Sequence, residues 1–122
     1  MRPLETILDQ LIEPVTWLEG EGRWSSRWDA IDQSPLIRRK PLESRPKMPW
    51  DWGCPDAVVR GIRADHSGAV WIWGEPEGQE ETAMQDILLM AGRGHTRLSR
   101  DSLDRLQSLA ASVDIGILTT PG

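Results

Sequence analysis

The stretch VVRGIRADHSGAVWIWGEP at residues 58–76 decides the fold. Residues 58–63 and 69–73 are rich in the β-branched and aromatic side chains that favour strands. Residues 65–68, Asp-His-Ser-Gly, supply the polar and flexible positions of a turn. The sequence therefore predicts a β-hairpin.

One side of the second hairpin strand must be covered, because its side chains alternate between the two faces of a sheet. The candidates are Trp71 and Trp73 on one side, or Val70 and Ile72 on the other. The tryptophan pair has the larger apolar area, and we expect it to belong to the core.

Three flanking segments have apolar residues at the spacing of a helix. They predict helices over residues 3–13, over residues 79–91, and from Ser99 or Asp101 through Ser112. The first begins with a proline, which suits a first helical turn, and the third begins with a polar residue able to cap it.

Two shorter runs are strand-like, at residues 15–18 and 115–118, and the spacing of Trp24 and Trp28 also suits a short helix. The 122 residues fill one ordinary domain. We predict a single α+β domain, residues 1–122, with a mainly antiparallel sheet built on a central hairpin and helices packed on one face. The terminal strand would add parallel to that sheet.

Composition limits the function classes. The longest unbroken apolar runs are five residues, too short for a membrane helix, and the N-terminal residues lead into no signal-peptide core. We expect a cytoplasmic protein with no membrane partner. Cys54, His66 and His95 are the only cysteine and histidines, so neither an internal disulfide nor a closed Cys/His zinc site is possible, and no cofactor is indicated.

All seven aromatic residues are tryptophan. The absence of Phe, Tyr and Asn, and twelve arginines against two lysines, fit the GC-rich coding sequence of a bacterium or phage. Codon bias alone does not explain seven indoles, which exceed what one small core usually hides.

A proline-rich basic segment covers residues 35–55. It contains five prolines, each of which removes a backbone donor, and we expect an extended loop and no regular helix or central strand. Residues 38–47 carry five cations and one carboxylate in a chain of net charge −5.

Trp and Arg are the residue types most enriched at interface hot spots. We therefore predict a protein-binding accessory or adaptor subunit, with Trp50 and Trp52 as anchors and Arg38, Arg39 and Lys40 as steering charges. Two alternatives remain open. The same residues are suited to single-stranded nucleic acid, with guanidiniums on phosphates and rings under bases, or the two rings simply close one end of the core.

A nuclease-like alternative starts from Asp56, which opens the hairpin, and from Glu75 and Glu77, which follow it. Carboxylates at the same end of a sheet can hold Mg²⁺ and activate water, although acids in turns are also common without function. The layout resembles the core of PD-(D/E)XK nucleases, and the resemblance implies metal-dependent phosphodiester cleavage. Glu77 stands where that family has lysine.

The order of a leading helix, a Val-x-Gly-Ile strand, an Asp-x-Ser-Gly turn, a second strand and a helix is also similar to Roadblock-type small α/β modules. That resemblance implies binding to partner proteins without chemistry. About forty residues separate the first helix from the first hairpin strand, more than that family has.

A candidate anion site precedes the last helix, where flexible backbone and guanidiniums can surround a phosphate. A plain glycine-rich connector is the alternative. The candidate residues are Arg93, His95, Thr96, Arg97 and Arg100.

Overall fold

The computed structural model describes residues 3–43, 46, 57–64, 68–94, 98–111, 115 and 117. Within these residues it contains a mixed sheet of four strands with helices packed on it. In chain order the elements are α1 (Leu4–Leu8), β1 (Val15–Glu19), a 3-10 helix (Ser26–Gln33), β2 (Ile37–Pro41), β3 (Val59–Ala64), β4 (Ala69–Trp73), α2 (Gln79–Arg93) and α3 (Arg100–Gln107).

The strand order is β2-β1-β3-β4. Strand β3 pairs antiparallel with both β1 and β4, whereas β2 pairs parallel with β1. The predicted α+β class and the β3–β4 hairpin are confirmed. The parallel neighbour is β2, and not the predicted terminal strand at residues 115–118, of which the described residues Ile115 and Ile117 lie in no strand.

The prediction that residues 35–55 form an extended loop is wrong for residues 37–41, which form β2. The prolines of this part do not prevent a strand because Pro35 precedes it and Pro41 is its last residue. An edge strand also tolerates a missing N–H, since one of its sides has no partner strand.

Helix α1 ends at Leu8 and not at residue 13. The N–H groups of Ile12 and Glu13, which a longer helix would bind internally, both donate to the carbonyl oxygen of Gly92 at 2.8 Å. This contact lies more than seventy residues away in sequence, so local periodicity could not reveal it. The apolar Leu11 still packs in the core, close to Gly92.

Helix α2 extends two residues beyond the predicted end, and Gly94 follows it in the left-handed conformation with a φ of 71°. Helix α3 begins at Arg100 and is capped by Ser99, one of the two predicted caps, whose hydroxyl oxygen accepts from the N–H of Ser102 at 3.1 Å. It ends at Gln107, five residues before the predicted end at Ser112.

The sheet has two faces of different character. We call the first face the side that carries Val15, Trp17 and Ile62, because these residues pack with α1, the 3-10 helix and α2 in the core. The predicted packing of helices on one face is thus confirmed for α1, the 3-10 helix and α2. Ile72, opposite Arg60 in the register, packs against this core. Trp71 and Trp73 alternate with it and lie on the other side, so their assignment to the core was wrong.

Three indoles form the centre of the first-face core, Trp17, Trp24 and Trp28. Their ring centroids lie 5.1 to 6.4 Å apart, with edge-to-face and stacked arrangements that aromatic pairs favour. Trp24 donates its ring N–H to the carbonyl oxygen of Val58 at 3.3 Å. This cluster fixes the 3-10 helix against β1.

Candidate functional site

The second face of the sheet is defined by the strand residues that alternate with those of the first face. It carries three cations and no carboxylate, in a chain whose net charge is −5. Its residues are Thr16, Leu18, Arg38, Lys40, Val59, Gly61, Arg63, Ala69, Trp71 and Trp73.

Arg38 and Lys40 are both exposed and alternate along β2. Strand pairing places Arg38 beside Thr16 and Lys40 beside Leu18, whose side chains are buried. The structure shows no hydrogen bond or ion pair from either cationic side chain to the residues that it describes. Neither charge is thus neutralised by a described residue.

Arg63 belongs to the same group of charges. Thr16 is opposite Arg38 on one side and Arg63 on the other, so the three residues form one row across the sheet. Adjacent strands lie about 4.8 Å apart, which separates the two arginine backbones by roughly 10 Å. Arg63 is partly buried, whereas Arg38 is exposed.

Trp71 lies in the next row, which runs from Lys40 through Leu18 and Gly61. Its ring lies against the backbone of Gly61, because a Cβ added there would come within 2.7 Å of the ring atom Cε3. The same Cβ would lie 3.2 Å from the Cβ of Leu18. The absent side chain at Gly61 thus makes room for an indole on the face that carries the cations.

Arg39 is different from its two neighbours, because it lies on the first face. It donates from Nε and Nη2 to the two carboxylate oxygens of Glu19, each at 2.8 Å, and from Nη1 to Asp32. The hydrogen bond with Glu19 is the main reason that the pKa of Arg39 is raised above its ordinary value. The structure thus separates Arg39 from Arg38 and Lys40.

Arg60 is a second structural arginine, which sequence reasoning missed. It is 6% exposed and donates to the carbonyl oxygens of Gly22 at 2.8 Å and Val59 at 2.9 Å. Its guanidinium lies 5.6 Å from the ring centroid of Trp24, and burial lowers its pKa. Its position within the predicted strand at residues 58–63 was the available signal.

A cleft of about 360 Å³ lies on the first face above the indole cluster. It is lined by three arginines and three carboxylates, so the charges balance. Glu19 and Asp32 pair with Arg39, and Asp29 lies 3.5 Å from Arg23. These pairs hold the 3-10 helix to the sheet and to the loop before it, and the cleft presents no net charge to a ligand.

The carboxylates of the nuclease-like alternative have separate surroundings. Glu75 accepts hydrogen bonds from the backbone N–H and the hydroxyl of Ser25, and from Arg27 at 3.1 Å. Glu77 is exposed, and Asp56 lies outside the described residues. Among the described residues, no three His, Cys, Asp or Glu side chains are grouped as a metal site requires. Glu75 anchors the start of the 3-10 helix.

Two of the predicted anion-site residues have partners within the protein. Arg93 donates to the carbonyl oxygen of Gln10 at 3.0 Å, which holds the end of α2 to the chain after α1. Arg100 pairs with Asp104 at 3.4 Å along α3. The other predicted residues of this site lie outside the described residues; they are His95, Thr96 and Arg97. The predicted anchors Trp50 and Trp52 also lie outside the described residues.

Helix α3 has a separate exposed surface. None of its residues is buried, and Leu106 and the following Leu109 are 50% and 54% exposed. Its charges pair along the helix, as in Arg105 with Asp101 at 3.3 Å. Among the described residues, no helix combines the length and the apolar character that crossing a bilayer requires.

Comparison with known proteins gives a structural neighbour. No protein-family model matches the sequence, and no curated protein is similar to it in sequence. The fold is similar to the crystal structure of Sso1120 from Sulfolobus solfataricus, with a TM-score of 0.58 and 10% sequence identity. The match covers 88% of this chain and 59% of that one. At this identity the similarity concerns the fold alone.

Proposed function

We propose that the protein is a non-enzymatic accessory or adaptor module that binds another protein through the second face of its sheet. The observation that carries the proposal is that Arg38, Lys40 and Arg63 share one face on which the strands place no carboxylate. Such charges accelerate and orient encounter with a partner of opposite charge. Trp71 on the same face adds the aromatic area that interface hot spots favour.

The surrounding charge favours a protein over nucleic acid. The chain has a net charge of −5, and this charge repels the polyanionic backbone of a long nucleic acid. Three cations also give few phosphate contacts. The nuclease-like alternative is weakened because Glu75 already accepts bonds from Ser25 and Arg27.

Affinity purification with matched variants tests this function. The tagged wild-type protein is compared with the double variant R38E/K40E, and with R23E/R100E as a control. The control has the same change in net charge but alters exposed arginines that lie outside the strands of the sheet. We expect partner recovery to fall at least about tenfold for R38E/K40E and to be retained by the control.

The urea midpoint of each purified variant is measured first, so that loss of binding is not confused with loss of folding. Equal recovery of the same partner by all three proteins would contradict the proposal. Equal loss in both double variants would show that net charge, and not the second face, governs the association.

A further inference from the structure

We infer that the partner presents an acidic peptide segment with carboxylates at alternate positions, which lies over β2 and is bound by side chains, without adding a strand to the sheet. This inference rests on the proposed function and specifies the partner of the same surface. Three features of the second face lead to it: the spacing of its cations, the state of the β2 edge and the distribution of carboxylates.

The spacing of the cations sets the spacing of the ligand. Arg38 and Lys40 are two residues apart on one strand, so their side chains leave the sheet about 7 Å apart. An extended peptide repeats its own side chains on one side at the same interval. Alternating carboxylates thus meet both cations, and Arg63 in the neighbouring row supplies a third.

The hydrogen-bond ladder shows which backbone groups of β2 face its open edge. The N–H of Val15 donates to Leu36 at 2.9 Å, and the N–H of Leu42 donates to Glu19 at 2.8 Å. In a parallel pair this pattern directs the backbone groups of Arg38 and Lys40 towards β1. The backbone groups of the three alternate residues face the open edge; these residues are Ile37, Arg39 and Pro41.

The outward groups of β2 offer few N–H donors to another strand. The N–H of Ile37 donates to the carbonyl oxygen of Ser34 at 3.3 Å, and Pro41 has no N–H. Among the N–H groups of β2 that face the open edge, that of Arg39 is then the one without a described partner. Short edge strands with proline and basic side chains are the usual protection against strand addition. A ligand at this edge is therefore held by side chains.

Carboxylates of the protein do not compete for the second-face cations in the described structure. Glu19 and Asp32 project to the first face and bind Arg39. The second-face cations consequently attract carboxylates from outside. A peptide can reach them from above the sheet while its own backbone remains hydrated.

Fluorescence anisotropy with short labelled probes tests the inference at low ionic strength, where screening is weak. The first probe is a peptide of about 12 residues that alternates Glu and Ser and spans roughly 40 Å when extended. The second replaces each Glu with Gln, and the third is an oligothymidylate. We expect the Glu peptide to bind the wild type and R23E/R100E, and to bind R38E/K40E at least about tenfold more weakly. The Gln peptide should not bind.

A fourth probe separates side-chain docking from strand addition. The Glu-Ser peptide with N-methylated backbone amides cannot donate hydrogen bonds to a sheet edge, and we expect it to bind the wild type as well as the unmethylated peptide. Loss of binding on methylation would overturn docking by side chains.

The remaining outcomes distinguish failure of this inference from failure of the proposed function. Tighter binding of the oligothymidylate than of the Glu peptide would overturn the partner class in favour of single-stranded nucleic acid. The inference that the partner presents an acidic segment would be overturned if the Glu peptide did not bind. It would also be overturned if the wild type, R38E/K40E and R23E/R100E bound the Glu peptide equally. If recovery of a partner in affinity purification still requires Arg38 and Lys40, the proposed function stands without this inference.

Discussion

The two faces of the sheet use the same residue types for different purposes. On the first face Arg39 and Arg60 are held by carboxylates and carbonyl oxygens of the protein, beside Trp17, which is 1% exposed. On the second face Arg38 and Lys40 are exposed and have no described partner. The alternation of side chains along β2 places Arg39 on the first face, where it is structural, and Arg38 and Lys40 on the second. Measurements that compare the two faces test this difference.

The largest expected contrast is between two tryptophans. Trp17 is fully buried, and we expect Trp17→Ala to lower the free energy of unfolding by about 3–5 kcal/mol. Trp71 is only partly buried, so Trp71→Ala should cost less than half as much. Urea denaturation measures both. Equal losses would mean that the second face is as much a core as the first.

A smaller contrast separates the two arginines of β3. Replacing Arg60 with Met removes donors from the carbonyl oxygens of Gly22 and Val59, and buried unpaired groups cost about 1–3 kcal/mol. Arg63→Met lies on the second face and should change the free energy of unfolding by no more than about 0.5 kcal/mol. Thermal and urea unfolding of the pair measures the difference. A reversed order would contradict the assignment of Arg60 as structural.

Adjacent residues of β2 give a third contrast. Arg39→Ala breaks a partly exposed network with Glu19 and Asp32, and we expect a loss of about 0.5–1 kcal/mol that shrinks as salt is added. Arg38→Ala should leave the urea midpoint unchanged. If both variants are equally stable at low salt, the ion pairs of Arg39 contribute nothing to folding.

Helix α3 should show the smallest effect on stability. Leu106 is half exposed, and we expect Leu106→Ser to alter the free energy of unfolding by less than about 0.5 kcal/mol. Denaturant unfolding provides the measurement. A loss comparable with that of a buried leucine would show that α3 packs against the domain.

Local signals predicted much of the fold. The turn between β3 and β4, the helical spacing of α2 and the cap at Ser99 all act over a few residues, so the sequence reveals them directly. The end of α1 depends instead on the carbonyl oxygen of Gly92, and β2 depends on pairing with β1. Such contacts join distant parts of the chain and leave no local pattern.

The candidate site was partly predictable for the same reason. A run of cations beside prolines indicates exposed charge, which identified Arg38 and Lys40. The partners of Arg39 are Glu19, twenty residues away, and Asp32, seven residues away, so its removal from the site required the tertiary structure. Trp71 was assigned to the core by size, because the sequence does not show which side of β4 the helices cover.

Chemical labelling of the Lys40 amine tests the central claim most directly, because Lys40 is exposed on the proposed docking face. Acetylation rates measured by mass spectrometry are compared for the free protein and for the protein saturated with the Glu-Ser peptide. We expect the rate at Lys40 to fall severalfold on binding and to recover as salt releases the peptide. An unchanged rate at Lys40 in the saturated complex would place the binding surface elsewhere.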